Sequence, residues 1–185
     1  GKDRRTLVIG DNDWPFPVPL AKRDGRWLLD GKAGVDELIY RRIGANELGA
    51  IAVCRGFVEA QTEYAGVGHD GDPAGIYAMK LVSDAGRQNG LYWPTTAGEA
   101  PSPAGEFVAN AAAEGYRRNP AAYHGYRYRM LYRQGRNAAG GARDYFKDGL
   151  LTEGYALLAW PAEYGVSGVM SFIVNHNGTV YQKDL

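Results

Sequence analysis

Apolar residues recur every three or four positions between residues 35 and 66, which is the period of one helix face. The pattern predicts a short helix from Val35 that stops at Gly44, followed by a longer helix of about five turns. Asn46 is the expected N-cap of the longer helix, and Gly66 and Gly68 are expected to end it. One stripe of this helix is predicted to hold Leu48, Ile51, Cys54 or Arg55, Phe57 or Val58, Gln61 and Tyr64.

The last third of the chain has a different pattern, in which apolar and polar residues alternate or form short apolar runs. Four of these runs predict antiparallel strands: GYRYRMLYRQG, GYALLAWPAEYG, SGVMSFIVN and TVYQKDL. The last two are separated by Asn177-Gly178, a strong hairpin signal. In the first run, alternation sets the tyrosines on one face, and Arg127 and Arg129 on the other.

The N-terminal segment is punctuated by prolines and by a second turn signal. Asp24-Gly25 predicts a two-residue hairpin that pairs residues 19–23 with 26–30. Prolines upstream restrict residues 14–20 to an edge strand or a polyproline stretch, since each proline removes a backbone donor. We expect Trp14 and Trp27 to anchor the core. Another helix is predicted to begin at Ser102-Pro103 and to end at Gly115.

Together these elements predict a single α+β domain over residues 2–185, with a long amphipathic helix packed on an antiparallel sheet. Residues 2–30 form an N-terminal β-hairpin segment, 31–115 a helical and loop region, and 116–185 the sheet. The expected core comprises Leu48, Ile51, Cys54, Phe57, Val58, Tyr64, Tyr128, Met130, Leu157, Ala159, Val169, Ser171, Ile173 and Val180. The alternative sheet face comprises Leu158, Met170, Phe172 and Val174.

Composition narrows the classes of partner. Twenty-one basic residues balance twenty-one acidic ones, so no global field draws the chain to nucleic acid, and we expect no nucleic-acid partner. The longest apolar runs fall well below the roughly 20 residues of a membrane span. Cys54 is the only cysteine, and its apolar neighbours predict a buried structural thiol.

The sequence contains no motif that identifies a reaction. A hydrolytic site would have to use His124 or His176 with a loop carboxylate such as Asp144, Asp148 or Glu163. The glycine turn around His69, Asp70 and Asp72 lacks the spacing of a calcium loop, and no pattern of zinc ligands occurs. We therefore expect neither a metal nor a cofactor.

Aromatic residues in two loops are the best candidates for binding. Tyr92 and Trp93 lie in NGLYWP, and Trp160 and Tyr164 lie in AWPAEYG. Exposed aromatic residues on loops above a sheet can stack on sugars or dock a partner protein. Arg127 and Arg129 are further binding candidates, because arginines interleaved with tyrosines can contact phosphates and stack on bases.

Several longer words carry a resemblance: DWPFPVPL, RRIGANELGAI, EAQTEYA, GLYWP, YHGYRYRML, GYALLAWPAEYGVSGVMSFIVN and VYQKDL. Together they resemble one bacterial family, the domain-of-unknown-function family twenty-nine fifty, from Trp14 to Leu185. The resemblance implies a longer N-terminus with an export signal or lipoprotein-like start, and it implies no assigned activity. The abrupt charged start, GKDRR, looks like a cut inside such a longer chain.

A second similarity concerns organisation. The order of amphipathic helix, glycine loop and antiparallel strands is similar to the globular part of pilin-like and pseudopilin-like secreted proteins. Those proteins begin with a long apolar assembly helix, which this sequence does not show.

From these observations we expect a non-catalytic exported module of the bacterial envelope that binds a protein or a surface polymer such as a polysaccharide. The expected location is periplasmic or envelope-associated. An envelope hydrolase built on His124 or His176 is the alternative.

Overall fold

The N-terminal segment of the computed structural model, which describes residues 2–105 and 122–185, holds five short strands in two small sheets. They are β1 (Arg4–Arg5), β2 (Val8–Ile9), β3 (Trp14–Pro15), β4 (Leu20–Arg23) and β5 (Arg26–Leu29). The larger of these sheets has the strand order β1-β4-β5. In its register, Arg23 lies opposite Arg26 across the two-residue turn at Asp24-Gly25. Strands β2 and β3 pair separately.

Helix α1 runs without interruption from Gly31 to Ala65. The prediction of a break at Gly44 is wrong, because glycine in a helix interior costs only about 1 kcal/mol and tertiary packing outweighs that cost. The N-cap is Asp30, whose carboxylate accepts a hydrogen bond from the Ala33 amide at 3.3 Å. Asn46 is not a cap; from inside the helix it donates to the Ser167 carbonyl at 2.8 Å.

The C-terminal half forms a four-stranded antiparallel sheet that packs against α1, so the fold is mixed α+β. Its strands are β6 (Tyr126–Leu131), β11 (Ala156–Pro161), β12 (Met170–Asn175) and β13 (Val180–Asp184), in the order β13-β12-β11-β6. Between β6 and β11 lie two small ribbons. One pairs β7 (Arg133–Gln134) with β8 (Arg143–Asp144), and the other pairs β9 (Phe146–Lys147) with β10 (Leu150–Leu151).

The register of the sheet decides which side chains are buried. Leu157 lies opposite Val174 and Met130, and Ala159 lies opposite Phe172. Since directly opposed residues share a face, the β12 residues of the core come from the alternative set. The prediction that Ile173 is a core residue is wrong, because it points to the other face and is 40% exposed. An error of one residue in the assumed alternation assigns every side chain of a strand to the opposite face.

The helix buries a slightly different stripe from the predicted one. Cys54, Phe57 and Tyr64 are buried as predicted, but Leu48 is 70% exposed and is not a core residue. In its place the helix presents Gly49 and Ala50, and an ideal Cβ at position 49 would lie 2.6 Å from the His124 ring. This part of the helix requires small residues because its backbone approaches the His124 ring closely.

The aromatic anchors expected near the N-terminus are a second correction. Trp14 and Trp27 are both exposed, and each lies under a guanidinium group. Arg41 sits 5.6 Å from the Trp14 ring centroid, and Arg5 sits 5.4 Å from that of Trp27. The helix predicted from Ser102 to Gly115 lies largely outside the described residues.

No helix within residues 2–105 and 122–185 is both long and apolar enough to cross a bilayer.

Two glycines of α1 give a matched test of the helix–sheet approach. Gly44→Ala should raise the free energy of unfolding by about 0.5–1 kcal/mol, because nothing lies within 4 Å of an added Cβ. Gly49→Ala should lower it by about 1–3 kcal/mol, because the His124 ring must move. Urea denaturation of both variants measures the difference. Equal stabilisation by both would contradict the close approach.

Candidate functional site

A cleft of about 750 Å³ lies at the C-terminal end of α1. Four segments surround it: the end of the helix, the glycine turn that follows the helix, the turn at residues 84–88, and the proline-rich segment at 93–103. The lining residues are Glu63, Val67, Gly68, His69, Asp84, Gly86, Arg87, Gln88, Trp93, Pro94, Thr95, Glu99, Ala100, Pro101 and Pro103. We call this feature the Trp93 cleft.

Three aromatic rings meet at the Trp93 cleft. His69 stacks on Tyr64 with a centroid distance of 4.0 Å and an interplanar angle of 22°. Trp93 meets His69 edge to face at 5.4 Å and Tyr64 at 6.4 Å. The contact between the rings fixes the Trp93 indole at the wall of the cleft.

Hydrogen bonds hold this aromatic cluster in place. The His69 Nε2 donates to the Tyr64 carbonyl at 3.1 Å, and its Nδ1 lies 3.2 Å from the Gln88 side chain. The Tyr64 hydroxyl donates to the Gln88 carbonyl at 2.6 Å. Burial, reinforced by Asp70 and Asp72, raises the pKa of Tyr64 to about 12, so it remains a neutral donor at physiological pH.

Three carboxylates around the cleft, those of Asp70, Asp84 and Glu99, accept hydrogen bonds from neighbouring loop residues. Asp70 accepts hydrogen bonds from the Gln88 amide at 3.1 Å and from Arg87 Nε at 3.2 Å. Asp84 accepts from Asn89 at 2.9 Å and from Lys80 at 2.6 Å. These two bonds, with that from Asn89 the larger influence, lower the pKa of Asp84. Glu99 accepts from the Thr96 amide at 2.8 Å.

A buried glutamine connects the helix to the loop region that carries Trp93. Gln61 is fully buried, and its amide exchanges two hydrogen bonds with the backbone of Ala78, at 3.0 and 2.9 Å. Ala78 is itself buried. Downstream, the backbone amides of Leu91 and Tyr92 donate to the carbonyls of residues 80 and 81, each at 3.0 Å. Gln61 thus supplies hydrogen bonds to the backbone N–H and C=O of Ala78, which lies in an irregular segment rather than in a strand.

The four predicted aromatic residues do not form one surface. Trp93 lines the cleft, whereas the half-buried Tyr92 is not among its lining residues. Trp160 and Tyr164 belong to the end of the sheet that Asn46 contacts through Ser167. Asn46 and Tyr64 are 18 positions apart in the helix, a distance of roughly 27 Å at 1.5 Å per residue. The Tyr164 hydroxyl donates to Asp184 at 3.0 Å, which raises its pKa.

The two predicted arginines also lie away from the cleft. Arg127 is opposite Trp160 and Arg129 is opposite Leu158, and both arginines are exposed. They occupy the sheet face that carries Ile173 rather than the face that packs on α1.

The two candidate histidines have structural surroundings. The His124 ring packs against Gly49 and against Tyr123 at 4.2 Å. The His176 ring meets Tyr145 edge to face at 5.6 Å. Its Nδ1 is buried and has no hydrogen-bond partner among the residues that the structure describes. Burial, followed by the charge of Arg143, lowers the pKa of His176.

The carboxylates proposed as histidine partners belong to turns and make local contacts there. Asp144 accepts from the Phe146 amide at 2.9 Å, and Asp148 has a φ of +52° in the turn before Gly149. Glu163 is exposed, in a turn that Ser167 closes. Among residues 2–105 and 122–185, no hydrogen bond joins His176 to any of these acids, and no group of three His, Cys, Asp or Glu residues could hold a metal ion.

Sequence reasoning missed His69, Arg87 and Gln88 as parts of a site. The available signal was the glycine-rich turn directly after a long helix, together with the aromatic pair in NGLYWP. Neither pattern shows that the two segments meet, because their contact depends on residues about 20 positions apart, such as His69 and Gln88.

Comparison with known proteins gives one finding. The family described as protein of unknown function, DUF2950, matches residues 1–185. No curated protein and no solved structure matches the chain.

Gln61→Leu should destabilise the protein strongly, because it leaves the buried N–H and C=O of Ala78 without partners. Each unsatisfied group costs roughly 1–3 kcal/mol. Thermal or urea unfolding measures the loss, with Thr62→Val as a control, since the Thr62 hydroxyl is exposed and donates to the Val58 carbonyl one turn back in the same helix. If Gln61→Leu were no more destabilising than the control, the connecting role of Gln61 would be wrong.

Stability should fall as the pH is lowered through 6.5. The pKa of His176 in the folded chain lies below its ordinary value of 6.5, so the unfolded chain binds the proton first. The contribution is fully present above 6.5 and is lost between that value and the folded pKa. Urea midpoints measured at several pH values should show this decline, and His176→Gln should reduce it. An unchanged pH profile in His176→Gln would assign the decline to other groups.

Proposed function

Because the chain belongs to the DUF2950 family of proteins of unknown function, its function has to be argued from the site, and we propose a non-catalytic binding module. Its ligand is a saccharide of the bacterial envelope, which packs on Trp93 in the Trp93 cleft. A protein is the other kind of ligand expected from the sequence, and the experiment below distinguishes it from a saccharide.

The observation that carries the proposal is an aromatic wall within an open cleft whose lining is both apolar and polar. Trp93, supported by His69 and Tyr64, offers a fixed apolar ring surface. A pyranose ring has a flat face of C–H groups and a rim of hydroxyl groups. The indole matches the face, and the side chains of Arg87 and Gln88 at the cleft offer donors and acceptors to the rim.

The chemistry of the carboxylates favours binding over hydrolysis. A glycosidase needs two carboxyl groups flanking the bond, one of them with a raised pKa so that it can donate a proton. In the Trp93 cleft the pKa of Asp84 is lowered instead, and Glu99 is tied to the Thr96 backbone amide. Asp84, whose lowered pKa favours the ionised form, is a poor general acid.

One observation keeps an envelope hydrolase as the second candidate. The buried Nδ1 of His176 has no hydrogen-bond partner in the described part of the chain, and the pKa of this histidine is lowered, so the ring is a neutral base near pH 7. A general base of this kind would also need an orienting group, and the loops offer Asp144, Asp148 and Glu163 as candidates.

The proposal includes an exported, envelope-associated location. Cys54 is compatible with an oxidising compartment, because it is fully buried and burial raises its pKa to about 11. A protonated, inaccessible thiol neither forms mixed disulfides nor reacts readily with oxidants.

Co-sedimentation with purified peptidoglycan sacculi tests the proposal, with chitin and starch granules as further polysaccharide probes. Trp93→Ala should weaken binding about tenfold or more, because a central aromatic contact supplies a large share of the binding energy. Trp160→Ala is the matched control, since Trp160 is also half-buried but does not line the Trp93 cleft. It should bind like the unchanged protein.

Three outcomes would contradict the proposal. Equal losses in the two variants would show that the Trp93 cleft has no special role. No binding to any of the three polysaccharides would favour a protein ligand. Release of soluble fragments that stops in His176→Ala would favour the hydrolase.

A further inference from the structure

The three-stranded N-terminal sheet has an unusual composition. Strands β1, β4 and β5 read RR, LAKR and RWLL. Each of these ten residues is either cationic or apolar, and none is acidic. Since the whole chain has a formal net charge of zero, these five cations are a local concentration of charge rather than a sample of the average. We call this element the basic sheet.

Strand register separates the basic sheet into two faces. Arg5 is opposite Leu20, and Lys22 is opposite Trp27, so one face comprises Arg5, Leu20, Lys22, Trp27 and Leu29. The other face comprises Arg4, Ala21, Arg23, Arg26 and Leu28. Leu20 and Ala21 are half-buried, and the other eight residues are exposed. Leu28 and Leu29 are 52% and 59% exposed, an unfavourable state for neighbouring leucines in a strand.

The cations of the basic sheet are poorly balanced. Arg23 lies directly opposite Arg26, and like charges in that position destabilise a strand pair. Among the ion pairs of the described residues, only Arg4 of the five cations has a partner, Asp30 at 3.1 Å. The other acids of residues 2–30 are Asp3, Asp11, Asp13 and Asp24, and none of them lies in the three strands of the basic sheet. An external anionic surface would offset this repulsion.

We propose that the basic sheet docks on an anionic lipid surface. Arginine and lysine side chains bind the headgroup phosphates, Trp27 occupies the headgroup level, and Leu28 or Leu29 enters the acyl boundary. The exposed leucines favour lipid over nucleic acid, because a polynucleotide offers no apolar compartment for aliphatic side chains. This surface is independent of the Trp93 cleft.

Vesicle sedimentation with the full chain tests the proposal. Vesicles of phosphatidylcholine mixed with phosphatidylglycerol should bind the protein, and vesicles of phosphatidylcholine alone should not. Binding should weaken as salt is raised, because the attraction is screened. The triple variant Lys22→Gln, Arg23→Gln, Arg26→Gln should bind about a hundredfold more weakly, at about fivefold for each cation removed. It retains Arg4 and therefore the ion pair with the helix N-cap.

A matched triple variant removes the same charge elsewhere. Arg55→Gln, Arg136→Gln, Lys183→Gln replaces two exposed arginines and one exposed lysine outside the basic sheet, and it should bind vesicles like the unchanged protein. Equal losses in the two triple variants would overturn the assignment to the basic sheet. Circular dichroism of both variants shows whether the helix is intact, so that a folding defect is not read as lost binding.

Depth of insertion supplies a second readout. Lipids brominated in the upper acyl chain should quench tryptophan fluorescence of the bound protein, and Trp27→Phe should remove most of that quenching. Leu28→Ser with Leu29→Ser should weaken binding to anionic vesicles at constant charge. Binding to heparin without binding to vesicles would overturn the proposal in favour of a soluble polyanion. Quenching that persists in Trp27→Phe would overturn the placement of Trp27 at the lipid surface.

Discussion

The close contact between α1 and the sheet is the constraint on which the other parts of this fold depend. The helix can lie so near the strands because its inner side carries Gly49, Ala50, Cys54 and Ala60, whose side chains take little space. Larger residues of the sheet, such as Phe172, then fill the remaining volume. A closely packed interior of this kind tolerates little change in side-chain volume. It therefore fixes the rotation of the helix as well as its distance.

The rotation of the helix determines what happens at its C-terminal end. With Cys54 and Phe57 facing the sheet, Gln61 and Tyr64 necessarily follow on the same side one and two turns later. Gln61 then meets the backbone of Ala78, and Tyr64 meets His69 and Gln88. The irregular segment after the helix is consequently organised by side chains of the helix, rather than by strand pairing of its own. The rigidity of the cleft walls therefore depends on the contacts that Gln61 and Tyr64 make with this segment.

The sequence predicted the elements better than their surroundings. The second half of α1 and the four strands were clear because their periods extend over many residues. The break at Gly44 was wrong because a local preference was weighed without the packing that overrides it. Ile173 was assigned to the core because a strand covered on one side and apolar on both gives no sign of which face is inside. The Trp93 cleft was beyond prediction, because it forms where loops distant in sequence converge.

The uninterrupted course of α1 through Gly44 fixes a length scale for the whole molecule. Thirty-five residues at 1.5 Å each give a rod of about 52 Å. The basic sheet joins this rod at Asp30, and the Trp93 cleft opens beyond Tyr64 at the opposite end. If the rod stood upright from a surface bound at its base, the cleft would be held farther out than the thickness of a bilayer. The helix would then act as a stand-off that sets how far from that surface a ligand is met.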